Sequence, residues 1–272
     1  MFADKTIAIV GAGNMGEVLI RGLIDGRVIE PRQLVAVEII TERRKLIAER
    51  YGCEVTDDPH AIDHADVIVL AVKPQAMDAT LKTIAKFAHP GQLIVSIAAG
   101  IHTDRIERAF GDVRVPVVRV MPNAPASVLQ GASALYAGQY ATDADVALAQ
   151  RIFEEVGRAV VVKQEALMDV VTGLSGSGPA FIFMMIEALS DAGVQLGLPR
   201  NVANMLAGQT TYGAAKMFLE TGKHPGELKD VVATPGGTTF AGLRALEKGI
   251  FRSTVMDAVE AATRRSRELG KE

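Results

Sequence analysis

The segment Thr234-Pro235-Gly236-Gly237-Thr238-Thr239 interrupts an otherwise helical second half of the chain. Proline lacks the amide hydrogen that a helix interior needs, and each glycine costs about 1 kcal/mol relative to alanine in a helix. Such a break exposes backbone N–H groups at the start of the next helix. Together with the threonine hydroxyls, these groups could bind a small anion such as a carboxylate. A plain turn between helices, capped by threonine, is the alternative.

A second glycine-rich segment, Gly11-Ala12-Gly13-Asn14-Met15-Gly16, has the spacing Gly-x-Gly-x-x-Gly. It follows a short apolar run and precedes an amphipathic stretch, which is the strand–turn–helix context that such a motif requires. The glycines allow a tight turn, approach of a pyrophosphate and close helix–sheet packing. We therefore predict dinucleotide binding at Gly11, Ala12, Gly13, Asn14, Met15 and Gly16. A structural glycine turn is the alternative.

Glu38 ends the second predicted strand, 22 residues after Gly16. An acid at this place accepts hydrogen bonds from the adenosine ribose hydroxyls and repels a 2′-phosphate. The sequence therefore predicts NAD(P)H as the cofactor and favours NADH over NADPH. An exposed glutamate at a strand end is the alternative, and Arg43 or Arg44 could still reach a phosphate.

Two further loops follow predicted central strands, at the edge of the sheet where ligands bind in this type of architecture. Small residues and a fixed proline there would let a nicotinamide ring lie against the backbone. The residues assigned to the cofactor on this basis are Ala71, Val72, Lys73, Pro74, Ala98, Ala99 and Gly100. Lys73 also fits a solvated position, and we do not assign it as a catalytic base.

The elements that must position these residues change in character near residue 163. Up to that point strands alternate with amphipathic helical stretches, which predicts a parallel sheet covered on both faces. After it, helices follow one another. We predict an α/β Rossmann-type N-terminal domain, residues 1–163, and an all-α C-terminal dimerisation domain, residues 164–272. The expected strands are residues 6–10, 34–37, 54–56, 67–71, 93–97, 115–121, 132–137 and 159–162.

The helical half is rich in alanine and methionine and apolar on more than one face, which predicts burial against another subunit. Its apolar segment Phe181–Leu196 carries Glu187 and Asp191, so we expect a buried helix and not a membrane span. After Pro235, we expect the next helix over Gly242–Lys248. The segment Ser175–Pro179 has the composition of a phosphate loop, but its place between helices predicts a kink.

The net charge of −3 gives no electrostatic footprint for nucleic acid or for an anionic membrane. The single cysteine, Cys53, excludes an internal disulfide framework and fits a reducing compartment. We therefore expect a cytoplasmic protein with neither kind of partner. His60 and His64 are four residues apart, but a third ligand of suitable spacing is not evident, and we expect no metal site.

Taken together, these motifs resemble the pyrroline-5-carboxylate reductase family, whose enzymes catalyse the last step of proline synthesis. The resemblance covers nearly the whole chain. The region from His224 to Thr239 is its most specific part, since it reads His-Pro-Gly-Glu-Leu-Lys-Asp and then Thr-Pro-Gly-Gly-Thr-Thr. The other matching segments are residues 11–16, 71–74, 121–125 and 173–180.

This resemblance implies NAD(P)H-dependent reduction of 1-pyrroline-5-carboxylate to L-proline. It implies that the Pro-Gly-Gly loop of one subunit completes the site of its partner, in a homodimer or in a homodecamer built from five dimers. The backbone of Gly237, Thr238 and Thr239 would hold the substrate carboxylate. The Thr239 hydroxyl would lie near the ring nitrogen as the catalytic group, and Glu165 would line the proline pocket.

The chain departs from the family pattern at two places. Thr234, assigned to substrate binding, stands where the family usually has serine, and this change keeps the hydroxyl. Glu38-Ile39-Ile40 stands where many members carry an Asn-Arg-type pair for the 2′-phosphate, which again favours NADH.

Two rival functions fit parts of the sequence. A β-hydroxyacid dehydrogenase also joins a dinucleotide domain to helices, but Lys216 and Lys229 do not stand in the pattern of that family's helix-borne lysine. A dinucleotide sensor would bind NAD(H) without turnover, and the threonine-rich loop argues against it because a sensor needs no second pocket.

Overall fold

The computed structural model describes Phe2 and residues 4–270, and eight strands within this part of the chain form one sheet. The strands are β1 (Ile7–Val10), β2 (Leu34–Val37), β3 (Glu54–Thr56), β4 (Val67–Leu70), β5 (Leu93–Ser96), β6 (Val117–Met121), β7 (Gly131–Ala137) and β8 (Gly157–Val161). Their bounds agree with the predicted strands to within two residues at either end.

Helices connect the strands and make up the second half of the chain. They are α1 (Asn14–Asp25), α2 (Thr41–Tyr51), α3 (Met77–Ile84), α4 (Thr103–Ala109), α5 (Asp143–Glu154), α6 (Leu167–Val171), α7 (Gly178–Gln195), α8 (Arg200–Thr221), α9 (Pro225–Val232), α10 (Thr238–Lys248) and α11 (Phe251–Leu269). Helix α4 was not predicted, and α10 begins at Thr238 and not at Gly242 as expected.

The sheet has the order β3-β2-β1-β4-β5-β6-β7-β8. Val10 at the end of β1 is in register with Val37 of β2 on one side and with Leu70 of β4 on the other. The order of the strands therefore reverses between β1 and β4. In an open α/β sheet, the carboxyl ends of the strands at such a reversal form the ligand crevice.

Hydrophobic burial on both faces explains why the central strands are apolar throughout. All four residues of β4 are fully buried. On one face α1 contributes Leu19, Ile20 and Leu23, each with no exposed surface. Burying a side chain of this size contributes about 1.5–3 kcal/mol. These contacts hold α1 against the sheet and so fix the turn that precedes it.

One strand runs against the predicted direction. β7 is antiparallel to β6, with Met121 opposite Ala134, and it is parallel to β8. The connection from β6 to β7 is residues 122–130, which includes the 3₁₀ segment Ala124–Val128. A parallel crossover needs a dozen or more residues, so this connection permits only an antiparallel neighbour. The predicted parallel sheet is therefore found at every other strand pair and is interrupted only where β7 meets β6 among the described residues.

The chain forms two compact units, residues 1–177 with 261–272, and residues 178–260. In the second unit, α7 packs against α8, where Gly193 faces Ala203. The boundary predicted after residue 163 stays a prediction.

The expected burial of Phe181–Leu196 is wrong for the single chain, because Phe183 is 63% and Met184 74% exposed. Among the described residues, the helical stretch Leu167–Gln195 is long enough to span a membrane, and an 18-residue window within it has a mean hydropathy of 1.3 with 11% of the window buried. An apolar surface of this extent is typical of an interaction site, and the sequence predicts that another subunit buries it.

Candidate active site

The glycine-rich turn lies where β1 and β4 end side by side. Gly11 has a φ of +96°, and a Cβ at this residue would lie 2.9 Å from the carbonyl oxygen of Ala71. A Cβ on Gly16 would lie 2.1 Å from the carbonyl oxygen of Gly11. At Gly13, no described atom beyond its chain neighbours lies within 4 Å of the Cβ position. The turn is therefore tightly packed on the protein side and open at Gly13.

This open side coincides with the beginning of α1, whose N-cap is Gly13. The first-turn amides of a helix, here those of Asn14, Met15 and Gly16, have no acceptor within the helix. They and the positive end of the helix dipole attract a negatively charged group. The turn thus has the shape and the polarity to hold the pyrophosphate of a dinucleotide.

Glu38 is engaged with this turn. It is 7% exposed; Oε2 accepts a hydrogen bond from the Ala12 amide at 2.9 Å, and Oε1 accepts one from the Ile40 amide at 3.0 Å. Burial and these contacts exclude the alternative of an exposed strand-end residue. Each carboxylate oxygen keeps a second lone pair, so the group can still accept hydrogen bonds from ribose hydroxyls.

The two arginines after β2 are held by other protein groups. Arg43 donates from Nε and Nη2 to the carbonyl oxygen of Ala12, at 2.9 and 2.7 Å. Arg44 donates from Nη1 to the carbonyl oxygens of Glu38 and Ile39, both at 3.0 Å. The guanidinium groups that could meet a 2′-phosphate are thus already bound within the protein.

The two other predicted loops lie beside the turn. The Ala71 amide donates to the carbonyl oxygen of Val10 at 2.8 Å, which joins the end of β4 to that of β1. A cavity of about 530 Å³ is lined by Pro74, Ala99 and Gly100. Ala98 is buried beneath the surface. The structure therefore brings the two loops together at the carboxyl edge of the sheet, as the sequence predicts.

The remaining residues assigned to these loops differ in exposure: Val72 is half-buried and Lys73 is exposed. Opposite the loops, the cavity is lined by Thr172 and Ser177 and by the last turns of α11, including Ser266 and Leu269. Sequence reasoning did not place α11 here.

Glu165 is the centre of a polar cluster in the first unit. Its Oε1 accepts from the Thr103 amide at 2.8 Å and from Arg119 Nη1 at 3.1 Å. Its Oε2 accepts from Thr103 Oγ1 at 3.2 Å and lies 3.5 Å from His102 Nδ1. Glu165 therefore anchors the start of α4, directly after the loop that ends at Gly100.

The predicted kink near Ser175 is a π-helical turn, Thr172–Gly176. The Ser177 amide donates to the carbonyl oxygen of Thr172 at 2.9 Å. Asn123 Nδ2 donates to the carbonyl oxygen of Ser175 at 3.0 Å. Turns of this type are rare and occur frequently at functional sites. The segment is helical, so it is not a phosphate loop.

Asp169 and Ser266 explain how α11 is held against the cavity. Ser266 Oγ donates to Asp169 Oδ1 at 2.6 Å, and both residues are buried. The two positions are far apart in sequence and belong to ordinary helical patterns. The sequence therefore held no local signal for this contact. The same is true of the contact between Arg119 and Glu165. Asn123, in contrast, lies in the motif Met-Pro-Asn-Ala-Pro, which the sequence resemblance to the family had already marked.

The threonine-rich loop belongs to the second unit and joins α9 to α10. The Gly237 amide donates to the carbonyl oxygen of Thr234 at 2.9 Å, and Gly237 is the N-cap of α10. Thr238 and Thr239 consequently occupy the first turn, where amides lack intrahelical acceptors. Thr239 Oγ1 donates to the carbonyl oxygen of Val232 at 3.2 Å. The loop thus presents helix-start amides and hydroxyls, as an anion site requires.

Within the described part of the chain, no group of three or more histidine, cysteine or acidic side chains is arranged to hold a metal ion. The ring of His60 lies 3.9 Å from that of Phe87, between centroids. His60 is otherwise exposed, as expected for a surface residue.

The reversed strand order and the glycine-rich turn define a dinucleotide-binding protein of the Rossmann type. A family model described as "NADP oxidoreductase coenzyme F420-dependent" matches residues 6–100, and one described as "Pyrroline-5-carboxylate reductase dimerisation" matches residues 165–269. A pyrroline-5-carboxylate reductase from Methanosarcina acetivorans is 44% identical, over 98% of this chain and 99% of its own. The chain belongs to the pyrroline-5-carboxylate reductase family.

Solved structures agree with this assignment. A pyrroline-5-carboxylate reductase from Coxiella burnetii is 35% identical, with a TM-score of 0.93 over 97% of this chain and 98% of the other. A pyrroline carboxylate reductase from Plasmodium falciparum, solved with NADP bound, is 31% identical, with a TM-score of 0.85 over 98% of each chain. The Rossmann fold with a helical dimerisation region is therefore confirmed.

Proposed function

We propose that this protein reduces 1-pyrroline-5-carboxylate to L-proline with NAD(P)H, as the last step of proline biosynthesis. The observation that carries the proposal is that one chain of this family contains both a glycine-rich turn shaped for a dinucleotide and a threonine-rich helix start suited to a carboxylate. The reaction needs both sites, because the dinucleotide supplies the hydride and the substrate is a cyclic imine with a carboxylate.

The first-turn amides of α1 and the open face of Gly13 would hold the pyrophosphate, and Glu38 would accept hydrogen bonds from the ribose. The loops ending at Pro74 and Gly100 would border the nicotinamide, which supplies the hydride when the cofactor is bound. We propose that NADH is favoured over NADPH, because Glu38 would meet the ribose hydroxyls and the Arg43 and Arg44 guanidiniums are engaged with backbone carbonyls.

For the substrate, the Thr238 and Thr239 amides would bind the carboxylate, since the amide of Gly237 already donates to the carbonyl oxygen of Thr234. The Gly237 backbone and the Thr234 hydroxyl would border the same carboxylate. Fixing it in this way holds the ring in one orientation and so supplies proximity. Glu165 would line the proline pocket.

Reduction adds a hydride to the imine carbon and a proton to the nitrogen, so that the double bond becomes single. The threonine-rich loop contains no strong acid. If the imine arrives protonated, it already carries this proton and no acid is needed. The Thr239 hydroxyl would then orient the nitrogen or relay a proton from water, after releasing the carbonyl oxygen of Val232.

We further propose that the loop of one subunit completes the site of its partner, in a cytoplasmic homodimer or in a homodecamer of five such dimers. The exposed apolar surface of α7, in the region that the dimerisation model matches, supports association. The single cysteine, Cys53, is a buried free thiol, and a chain without disulfides fits a reducing compartment.

The test is oxidation of NADH and of NADPH, measured in parallel with purified protein and pyrroline-5-carboxylate. Faster oxidation of NADH supports the reaction and the role of Glu38. Faster oxidation of NADPH supports the reaction and removes the argument from Glu38. Cofactor binding without oxidation of either would overturn the proposed reaction and favour a sensor.

A further inference from the structure

Glu17, in the first turn of α1, lies at the centre of a charged cluster that the proposed reaction does not use. Its Oε2 lies 2.6 Å from Arg43 Nη2. Its Oε1 accepts from the Tyr51 hydroxyl at 3.0 Å and is paired with Arg50. One carboxylate thus binds two guanidinium groups and a phenol, all from α2.

Arg43 links this cluster to the cofactor site. The same guanidinium that pairs with Glu17 also donates to the carbonyl oxygen of Ala12, while Glu38 accepts from the amide of Ala12. Arg43 and Glu38 therefore both bind Ala12 of the glycine-rich turn. Arg43 binds its carbonyl oxygen, and Glu38 binds its amide. Arg43 thus binds the same residue of the turn as the carboxylate that is expected to meet the adenosine ribose.

The Glu17 carboxylate is stabilised in its ionised form by its neighbours. Its side chain is 17% exposed. Burial acts to raise its pKa, but hydrogen bonds from Arg43 and Tyr51 and the charges of Arg43 and Arg50 outweigh burial, so its pKa lies below the ordinary value. At neutral pH, Glu17 is ionised and compensates the charge of Arg43.

We propose that Glu17 is a positioning residue that sets cofactor specificity through Arg43. By holding the Arg43 guanidinium on the Ala12 carbonyl and compensating its charge, Glu17 withholds from a 2′-phosphate the cation that would otherwise bind it. Glu38 disfavours NADPH by direct repulsion, and Glu17 disfavours it by keeping Arg43 occupied. This inference rests on the dinucleotide site of the proposed function.

Glu17→Gln tests the inference, since glutamine keeps an oxygen for the Tyr51 hydroxyl and loses the charge. Calorimetric titration of the full-length protein at low salt with 2′,5′-ADP and with 5′-AMP isolates the effect of the phosphate. We expect the affinity for 2′,5′-ADP relative to 5′-AMP to rise about tenfold, the effect of one charge-assisted hydrogen bond. The double variant Glu17→Gln/Arg43→Gln should lose this gain.

Glu42→Gln is the matched control, because Glu42 is an exposed acid in the first turn of the same helix as Arg43. It should change the ratio less than twofold. An unchanged ratio in Glu17→Gln, an equal rise in Glu42→Gln, or a gain that survives loss of Arg43 would each overturn the inference.

Arg43→Gln alone provides a test that does not depend on the stability of the Glu17 variant. If Arg43 is withheld from the phosphate, this change leaves the affinity for 2′,5′-ADP relative to that for 5′-AMP within twofold of the wild-type value. A large loss of 2′,5′-ADP affinity relative to 5′-AMP affinity would show that Arg43 already binds the 2′-phosphate, and the inference would fall. If neither nucleotide binds to the wild-type protein, the dinucleotide site itself fails. Binding of both with no effect of Glu17 refutes only the inference.

Discussion

Arg119 and Glu165 form an ion pair in the interior of the first unit, with 3.1 Å between Nη1 and Oε1. The Arg119 side chain is 3% exposed. Because the same carboxylate accepts from the Thr103 amide, the pair connects β6 to the start of α4. The loop that ends at Gly100 lies next to the proposed nicotinamide site. It is thereby anchored at the start of α4, where Thr103 binds Glu165.

Removing one partner of this pair should strongly destabilise the fold. Arg119→Met leaves the Glu165 carboxylate without its main counter-charge, and the loss of one partner of a buried pair costs about 3–5 kcal/mol. Urea unfolding at a fixed protein concentration measures this loss. The double variant Arg119→Met/Glu165→Gln, which removes both charges, should recover part of it. An Arg119→Met protein as stable as wild type would contradict the role of the pair.

Gly13 and Gly16 should respond differently to the same substitution. Gly13→Ala adds a methyl group in the open space of the turn, so we expect an unchanged melting temperature and a loss of NADH affinity of at least about tenfold. Gly16→Ala would place a Cβ 2.1 Å from a backbone oxygen, so it should destabilise the fold by about 1–3 kcal/mol. Calorimetry and thermal unfolding of the two variants measure both effects. Tight NADH binding by Gly13→Ala would exclude phosphate from this position.

Thr239→Ala should lower turnover more than it weakens cofactor binding. The variant keeps the backbone amide for the carboxylate and loses the hydroxyl that we propose near the imine nitrogen. We expect kcat to fall on the order of tenfold, the effect of one hydrogen bond, with NADH affinity unchanged. Thr239→Ser keeps the hydroxyl and should restore most of the rate. Unchanged kinetics in Thr239→Ala would remove this residue from the mechanism.

Local sequence signals predicted the parts of the site that are built from contiguous residues. The turn at Gly11 was recognisable because its spacing, the preceding strand and the following helix are all adjacent in the chain. Glu165 shows the limit of such reasoning. Its partners Thr103 and Arg119 are 62 and 46 residues away, and no local pattern marks them. Likewise, the direction of β7 follows from the short path between β6 and β7 and not from its own residues.

The start of α10 was misplaced although its signals were present. The helix was expected from Gly242, whereas it begins at Thr238 with Gly237 as N-cap. Glycine is an accepted N-cap residue, and an N-cap leaves the following amides open. Applying this rule to Gly237 would have placed Thr238 and Thr239 in the first helical turn and strengthened the anion-site hypothesis.

Asp66 should make stability depend on pH in the acid range. It accepts from Lys5 Nζ at 2.7 Å and from the Thr6 amide at 2.8 Å. Burial acts to raise its pKa, but these contacts lower the pKa below the ordinary value of 3.8. A lowered pKa in the folded state gives stability that is present above about pH 3.8 and is lost as the pH falls through the folded-state value.

Asp66→Asn should therefore be less stable than wild type at pH 7, as judged by urea unfolding, and the two proteins should converge as the pH falls below about 4. Asp57→Asn, which removes an exposed partner of Arg44, is a control for a change of one charge. Since exposed ion pairs contribute at most about 1 kcal/mol, its effect should be small. A difference for Asp66→Asn that is independent of pH would refute ionisation as its cause.

The apolar face of α7 should decide the oligomeric state. Phe183 and Met184 are 63% and 74% exposed in the single chain, and the family model matched to this region describes dimerisation. A charge placed in a desolvated interface would be buried without a partner, so Phe183→Glu should dissociate the assembly. Val128→Glu, at an exposed apolar residue of the first unit, is the matched control and should leave the mass unchanged. Light scattering after size-exclusion chromatography measures both.

If a dissociated Phe183→Glu protein still binds NADH but does not reduce the imine, the partner's loop completes the site. Full activity in the monomer would show instead that each chain contains the whole site.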